Sequence, residues 1–505
     1  MIRIGFLLVL FAFGRAQAQS LPGAGLDQER MTAVYAEALA FMAPRILDPV
    51  SVPQLTVWGL QGLTTLDPAL RIGIRDSHLQ LFRQGEIELE VAAPKDETAR
   101  AWARTAAAIS AAAYPVSAAL RRAGTQGIIQ GFFDEMLGRL DPYSRYVAPQ
   151  QAGEDRARRA GRAGLGLTVG LRGRMVDVRA VVRDSPAAIA GIRPGDFLLA
   201  IDGQQTRDQD PATIGALLSG AEGSAVTVTW RGRDGRTRDA QMIRAIVAPE
   251  TVFAERVADV LVLRITSFSG TTASHLALSV QDALSEPRPV HGIVLDLRDN
   301  RGGLLRQAVT AADTFLPEGI VAVTTGRDPE ANHIWRSSEG ELAENVPLII
   351  LVDGRTASSA EILAAALADR GRGVVVGSST VGKGLVQTID PLPDGGDLFV
   401  TWSRVLAPLG WPLQGLGVLP QVCTSLGIEV LNRQLSSLSA GFQPMIEAIR
   451  RERAARAPVP ASEVLEIRAP CPGAEGRASD LEAARSLIAN PAAYAAALLP
   501  PMVDR

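Results

Sequence analysis

The chain has 505 residues, with 51 Lys and Arg against 54 Asp and Glu, a formal net charge of −3, and 47% hydrophobic and 21% charged residues. That is an ordinary globular balance long enough for two to four domains, and it argues against electrostatic capture of nucleic acid. Two distant cysteines and no His-Glu-x-x-His motif leave no recognisable metal site, and nothing implies an organic cofactor.

The N-terminus, MIRIGFLLVLFAFGRAQAQS, has a short basic start and an apolar run from Ile4 to Gly14. Small residues follow, ending Ala16-Gln17-Ala18. This pattern predicts a secretory signal peptide, residues 1–18, cleaved after Ala18. The run is short for a bilayer span and no other candidate span follows, so no stable membrane span is expected after cleavage. Export implies an oxidising compartment, which favours a Cys423–Cys471 disulfide over two buried thiols. Such a bond would pin the C-terminal segment to the preceding domain, a closure worth roughly 4 kcal/mol if unstrained.

From Glu29 to about Ile72 the pattern is helical, and a similar arrangement returns at WARTAAAISAAAYPVSAALRRAG and GIIQGFFDEMLGRLDPYSRYV. Both end in Leu-Asp-Pro, so residues 19–157 read as a helical N-terminal region with the marks of an internal duplication. Between them HLQLFRQGEIELEVAAP alternates like a hairpin. The basic run Arg156–Arg162, without aromatic interleaving, reads as a solvated linker. Residues 158–247 form a β-rich unit: GLGLTVGL and MVDVRAVV as strands, SPAAIAGI as a short helix, DFLLAIDG as a strand, then a helix at Thr213–Leu218 and two strands joined through Asp234-Gly235. From 248 to 425 apolar strands alternate with amphipathic helices, the pattern of an α/β layer with a buried sheet. Residues 426–505 read as a C-terminal helical extension.

The stretch GRGVVVGSSTVGKGLVQ frames a lysine with glycines. Gly377, Gly382 and Lys383 nearly spell a phosphate loop, but Gly384 stands where that loop needs Ser or Thr to hold magnesium. Lys95 and Lys383 are the only lysines among the 51 cationic residues. Lysine can lose its proton inside a protein, whereas arginine effectively cannot. Upstream, Ser358 opens a strong helix in DGRTASSAEILAAAL. Ser358-x-x-Glu361 matches a capping box, yet a helix start also suits a nucleophile. A hydroxyl needs a base. His78, His275, His291 and His333 lie in no recognisable motif, which leaves Lys383 as the candidate.

The β-rich unit resembles a permuted PDZ domain, most specifically in SPAAIAGIRPGDFLLAIDG, which implies a carboxylate-binding loop at Leu165-Gly166-Leu167. Ser358 in TASSAEI, Lys383 in VGKGLVQ and the segment DLRDNRGGLL together resemble the carboxy-terminal processing, or tail-specific, proteases. DPYSRYVAP and GWPLQGLGVLPQV extend the resemblance over about Asp141 to Val422. It implies an exported serine endopeptidase, periplasmic or in the bacterial cell envelope, with Ser358 as nucleophile and Lys383 as general base. Gln387 would orient the lysine; in an extended strand positions 383, 385 and 387 share a face. The backbone N–H groups of Ser359 and of Gly302 or Gly303 would stabilise the oxyanion. It further implies multidomain α/β architecture, protein substrates taken by their C-terminal tails, an adaptor protein and a homodimer through the N-terminal helices. Arg301 stands where the family usually has proline, and Ser359 where it has alanine. The rival from another class is a silent PDZ scaffold, which intact Ser358, Lys383 and Gln387 oppose.

Overall fold

A computed structural model describes residues 25–338 and 340–500 of the chain. The stretch read as a signal peptide lies outside the described residues. Among the described residues, no helix is long and apolar enough to cross a membrane.

The chain divides into two compact units. Of the described residues, 25–40 and 51–139 form the smaller, 41–50 and 140–500 the larger. In the smaller unit, Ser51 caps the helix Val52–Leu66 by accepting the Gln54 N–H. The helix packs on Ala118–Leu137 through Gly62, where a Cβ would lie 2.3 Å from the Gly131 carbonyl oxygen. The helical pattern drawn as far as Ile72 stops at Leu66, because Asp67 turns extended before Pro68; Leu70–Arg75 is instead a strand. It pairs with the hairpin His78–Arg83 and Glu86–Ala92, so this sheet has three strands.

The larger unit contains an antiparallel PDZ-like sheet. Its strands run in the order Thr237–Ile243, Ala225–Arg231, Phe197–Ile201, Met175–Val181 and Leu167–Arg172. Leu167–Arg172 is the sheet edge, beside the helix Pro211–Leu218.

The principal layer is a six-stranded sheet ordered Val252–Val257, Val260–Ile265, Gly292–Asp296, Leu348–Val352, Val374–Gly377 and Val422–Cys423. Every pairing after the first is parallel. Its central strands are continuous apolar runs because both faces are covered. Leu295, Ile350 and Val375 pack into the core with the helices Thr272–Ser285, Leu305–Ala312 and Ser359–Asp369. Val294, Ile349, Leu351 and Val376 face the opposite way, against Leu431, Leu438, Ala484 and Leu487. The C-terminal helices Ile428–Ser439 and Ala478–Ala489 therefore supply the second face of the central sheet.

A second antiparallel sheet, His333–Ser337, Gly319–Gly326, Asp397–Leu406 and Leu385–Pro391, is joined on Asp397–Leu406 by Arg145–Val147. The basic run expected to be a solvated linker belongs largely to the helix Pro149–Ala160. Arg159 reaches Asp397, whose side chain is 1% exposed, at 3.3 Å. The arginines there hold the helix to a strand.

Candidate active site

Ser358 follows the sheet strand Leu348–Val352 across a tight turn and immediately precedes the helix Ser359–Asp369. Asp353 Oδ1 builds that turn, accepting the N–H groups of Arg355 and Thr356 at 3.0 Å each. Ser358 itself has φ 57° and ψ −121°, a conformation costing a non-glycine residue on the order of 1–3 kcal/mol. Its N–H points back into the protein, 2.7 Å from Glu361 Oε2.

Lys383 lies just before the strand Leu385–Pro391. Its N–H donates to the same oxygen, Glu361 Oε2, at 2.9 Å. Glu361 is fully buried, and its other oxygen accepts the Thr380 hydroxyl and the Gly382 N–H, the latter at 2.6 Å. One carboxylate thus gathers the backbones of both candidate residues. Burial pushes its carboxyl up, against the hydrogen bonds that hold it down. Each of those partners donates, so the arrangement suits the ionised form. The sequence showed Glu361 only as a helix cap; its tie to the Lys383 loop depends on a tertiary contact that Ser-x-x-Glu spacing does not carry.

The Lys383 ammonium sits 4.9 Å from the centre of the Tyr143 ring. Burial, and next the Arg145 guanidinium, lower its pKa, opposed by Glu361 and Asp141. Asp141 and Arg145 come from the DPYSRYV segment. Asp141 Oδ1 also accepts the Tyr143 N–H and the Thr401 hydroxyl, each at 2.8 Å. Such a lysine can release its proton at lower pH than a solvated one, which fits it for general-base work.

Gln387 is placed differently from the expectation. Its Nε2 donates to the Thr401 hydroxyl and the Leu385 carbonyl, each at 3.1 Å, and among the described residues no hydrogen bond joins it to Lys383. Lys383 precedes the strand, which starts at Leu385, so strand alternation does not fix its side chain on the face of Gln387. Gln387 instead extends the chain of contacts through Thr401 to Asp141.

The DNRGG loop lies against Ser358: a Cβ on Gly302 would meet Ser358 Cβ at 2.8 Å and the Ser359 nitrogen at 3.0 Å. Of the two glycines expected as alternative oxyanion donors, Gly302 has its N–H held by Asn300 Oδ1 at 2.9 Å. The N–H groups of Gly303 and Ser359 make no hydrogen bond among the described residues. The Ser359 hydroxyl, absent if alanine stood here, donates to the Gly303 carbonyl at 3.0 Å and ties the two donors' backbones together. The Arg301 side chain is 75% exposed, 3.8 Å from Asp299.

At the PDZ-like edge, Leu165, Gly166 and Leu167 line a 360 Å³ groove with Val182 and Leu218. Gly166 has φ +76°, and a Cβ there would lie 2.3 Å from Ser185 Cβ. Cys423 and Cys471 are joined by a disulfide. The four histidines take no part in these contacts, and among the described residues no group of three or more His, Cys, Asp or Glu is arranged to hold a metal.

A serine on a helix N-terminus, a half-buried lysine and a PDZ-like sheet in one α/β chain define a PDZ-bearing serine peptidase class. Residues 259–424 match Peptidase family S41 and residues 178–232 match the PDZ domain. A carboxy-terminal-processing protease of Bartonella bacilliformis is 34% identical over 302 residues, covering 59% of this chain and 69% of that protein. A carboxyl-terminal-processing protease of Picosynechococcus sp. is 33% identical over 299 residues, covering 57% and 70%. A solved photosystem II D1 C-terminal processing protease aligns over 75% of this chain and 97% of that one at 26% identity, with a TM-score of 0.36. The chain belongs to the carboxy-terminal-processing protease family.

Proposed function

We propose that the protein is an exported endopeptidase that cleaves protein substrates captured by their C-terminal tails, using Ser358 as nucleophile and Lys383 as general base. The observation that carries this is the single Glu361 oxygen that accepts the N–H groups of both residues. The Ser358 hydroxyl attacks the scissile carbonyl while neutral Lys383 takes its proton. The Gly303 and Ser359 N–H groups receive the oxyanion, and the protonated lysine hands its proton to the leaving amine. Water activated by Lys383 then releases the acyl group from Ser358. Gln387 acts through Thr401 and Asp141 on the surroundings of the lysine.

The open edge Leu167–Arg172 takes the substrate tail as an added strand, with the Leu165-Gly166-Leu167 turn receiving its carboxylate. Residues 158–247 then serve as the tail reader and 248–425 as the catalytic core, while the helical region 19–157, apart from the Asp141–Val147 stretch that reaches the lysine and the second sheet, serves pairing with a second copy or an adaptor. A fluorophosphonate probe tests the nucleophile: it labels the wild type and fails to label Ser358→Ala. Equal labelling of both would refute the assignment.

A further inference from the structure

The segment from Arg468 to Gly476, which no catalytic motif includes, crosses both turns that carry Ser358 and Lys383. On the serine side, the Ala474 carbonyl accepts the Gly354 N–H at 2.7 Å, and the Gly476 N–H donates to Asp353 Oδ2 at 3.1 Å. Asp353 is the residue whose other oxygen builds the turn into Ser358. On the lysine side, Ser378 exchanges hydrogen bonds with Ala474, the Ser379 hydroxyl donates to the Cys471 carbonyl, and Arg468 donates to the Thr380 carbonyl at 2.6 Å. Thr380 in turn donates to Glu361. Ser378, Ser379 and Thr380 are all buried, so these contacts are made away from competing water. The segment is fastened at Cys471 to Cys423, the end of the last parallel strand of the central sheet.

We propose that Arg468–Gly476 is a positioning strap for the dyad, clamped by the Cys423–Cys471 disulfide, so that full activity requires the oxidised bond. The proposal rests on the Ser358/Lys383 assignment and adds to it the element that holds the two turns in register. Displacement of a reacting group by about 1 Å can cost on the order of 100-fold in rate, which gives a strap on both turns its leverage. Reduction by dithiothreitol would cleave the sulfur–sulfur bond into two thiols, taking two electrons and two protons, while dithiothreitol closes to its cyclic disulfide. Releasing the strap leaves Ser358 and Lys383 in place chemically but frees their turns.

The test compares kcat, KM and the pH dependence of kcat for four forms of the full chain. These are oxidised wild type, reduced and alkylated wild type verified by mass, the C423A/C471A variant, and Arg468→Ala. The strap predicts that kcat falls about 10- to 100-fold in the last three, with KM changed less than about threefold. It also moves the acidic limb of the profile upward, because Lys383, faced by Arg145, Asp141, Glu361 and the Tyr143 ring, becomes better solvated. Unchanged far-UV circular dichroism separates this from unfolding, and Arg468→Ala keeps the test open where the cysteine variant fails to fold. Retained kcat and an unshifted limb in the reduced enzyme and in Arg468→Ala would overturn the strap. Ser358→Ala run alongside separates the two ideas: if it too cleaves at the wild-type rate, the dyad itself fails.

Discussion

Glu361 performs two jobs with one buried carboxylate: it caps a helix, and it fastens the lysine loop to that helix. An amide in its place would turn N–H toward backbone N–H groups that can only donate, leaving buried donors unsatisfied at about 1–3 kcal/mol each. Glu361→Gln is therefore expected to lower kcat by at least about tenfold, with a lower melting temperature. Wild-type kcat in the Glu361→Gln variant would show that the shared oxygen is not needed. Lys383 must be neutral to accept a proton, so kcat rises with pH through its pKa and levels above it. Burial and Arg145 place that rise below the roughly 10.4 of free lysine. Arg145→Gln removes one of the two lowering influences, and the acidic limb should move to higher pH. A limb that stays put or moves down would contradict the assignment of Lys383 as the titrating base.

At the scale of elements, the parallel strands deliver the site. Leu348–Val352 ends at the turn into Ser358, and Val374–Gly377 ends at the turn into Lys383, the carboxyl ends where open α/β sheets place their ligands. These strands were legible because burial on both faces writes them as unbroken apolar runs, and Ser358 and Lys383 were legible through the motifs around them. Leu385–Pro391 and Asp397–Leu406 were not, because the first has only half-buried and exposed positions and the second, buried along most of its length, carries Asp397, Thr401, Ser403 and Arg404 among its apolar residues. The Gln387 contacts were not legible because Lys383 lies before the strand and not in it. The occupation of the Gly302 N–H by Asn300 is invisible in a glycine pair, since it depends on which way a side chain turns. In the PDZ-like unit, Gly166→Val would force a Cβ against Ser185. Affinity for a fluorescent peptide with a free apolar C-terminus is expected to fall about tenfold or more, measured by anisotropy. Unchanged affinity would remove this loop from the tail site.

For the whole molecule, the region after Cys423 is part of the catalytic body. Its helices cover one face of the central sheet, and Glu452 and Arg453 reach into the core beside Asp369 and Trp411. Composition alone made this Ala- and Pro-rich stretch the least informative, because its partners lie more than thirty residues away in sequence, as with Leu419, whose N–H donates to Glu452. Burial raises the Glu452 carboxyl from 4.5 to about 7. A carboxyl raised on folding adds stability that is full below its unfolded pKa and lost as pH rises through the folded one. The melting temperature should therefore decline from mildly acidic to mildly alkaline pH, and Glu452→Gln should flatten that decline. Parallel curves for the two proteins would contradict it.

The central claim is that one lysine serves as a base and not as a charge. Cleavage of an unstructured polypeptide with an apolar C-terminal tail, followed for wild type and Lys383→Arg from neutral to alkaline pH, tests it directly. Wild type should cleave, with a rate rising along its acidic limb. The arginine variant, folded and still positively charged, should be inactive throughout. Equal cleavage by the two proteins would contradict the dyad.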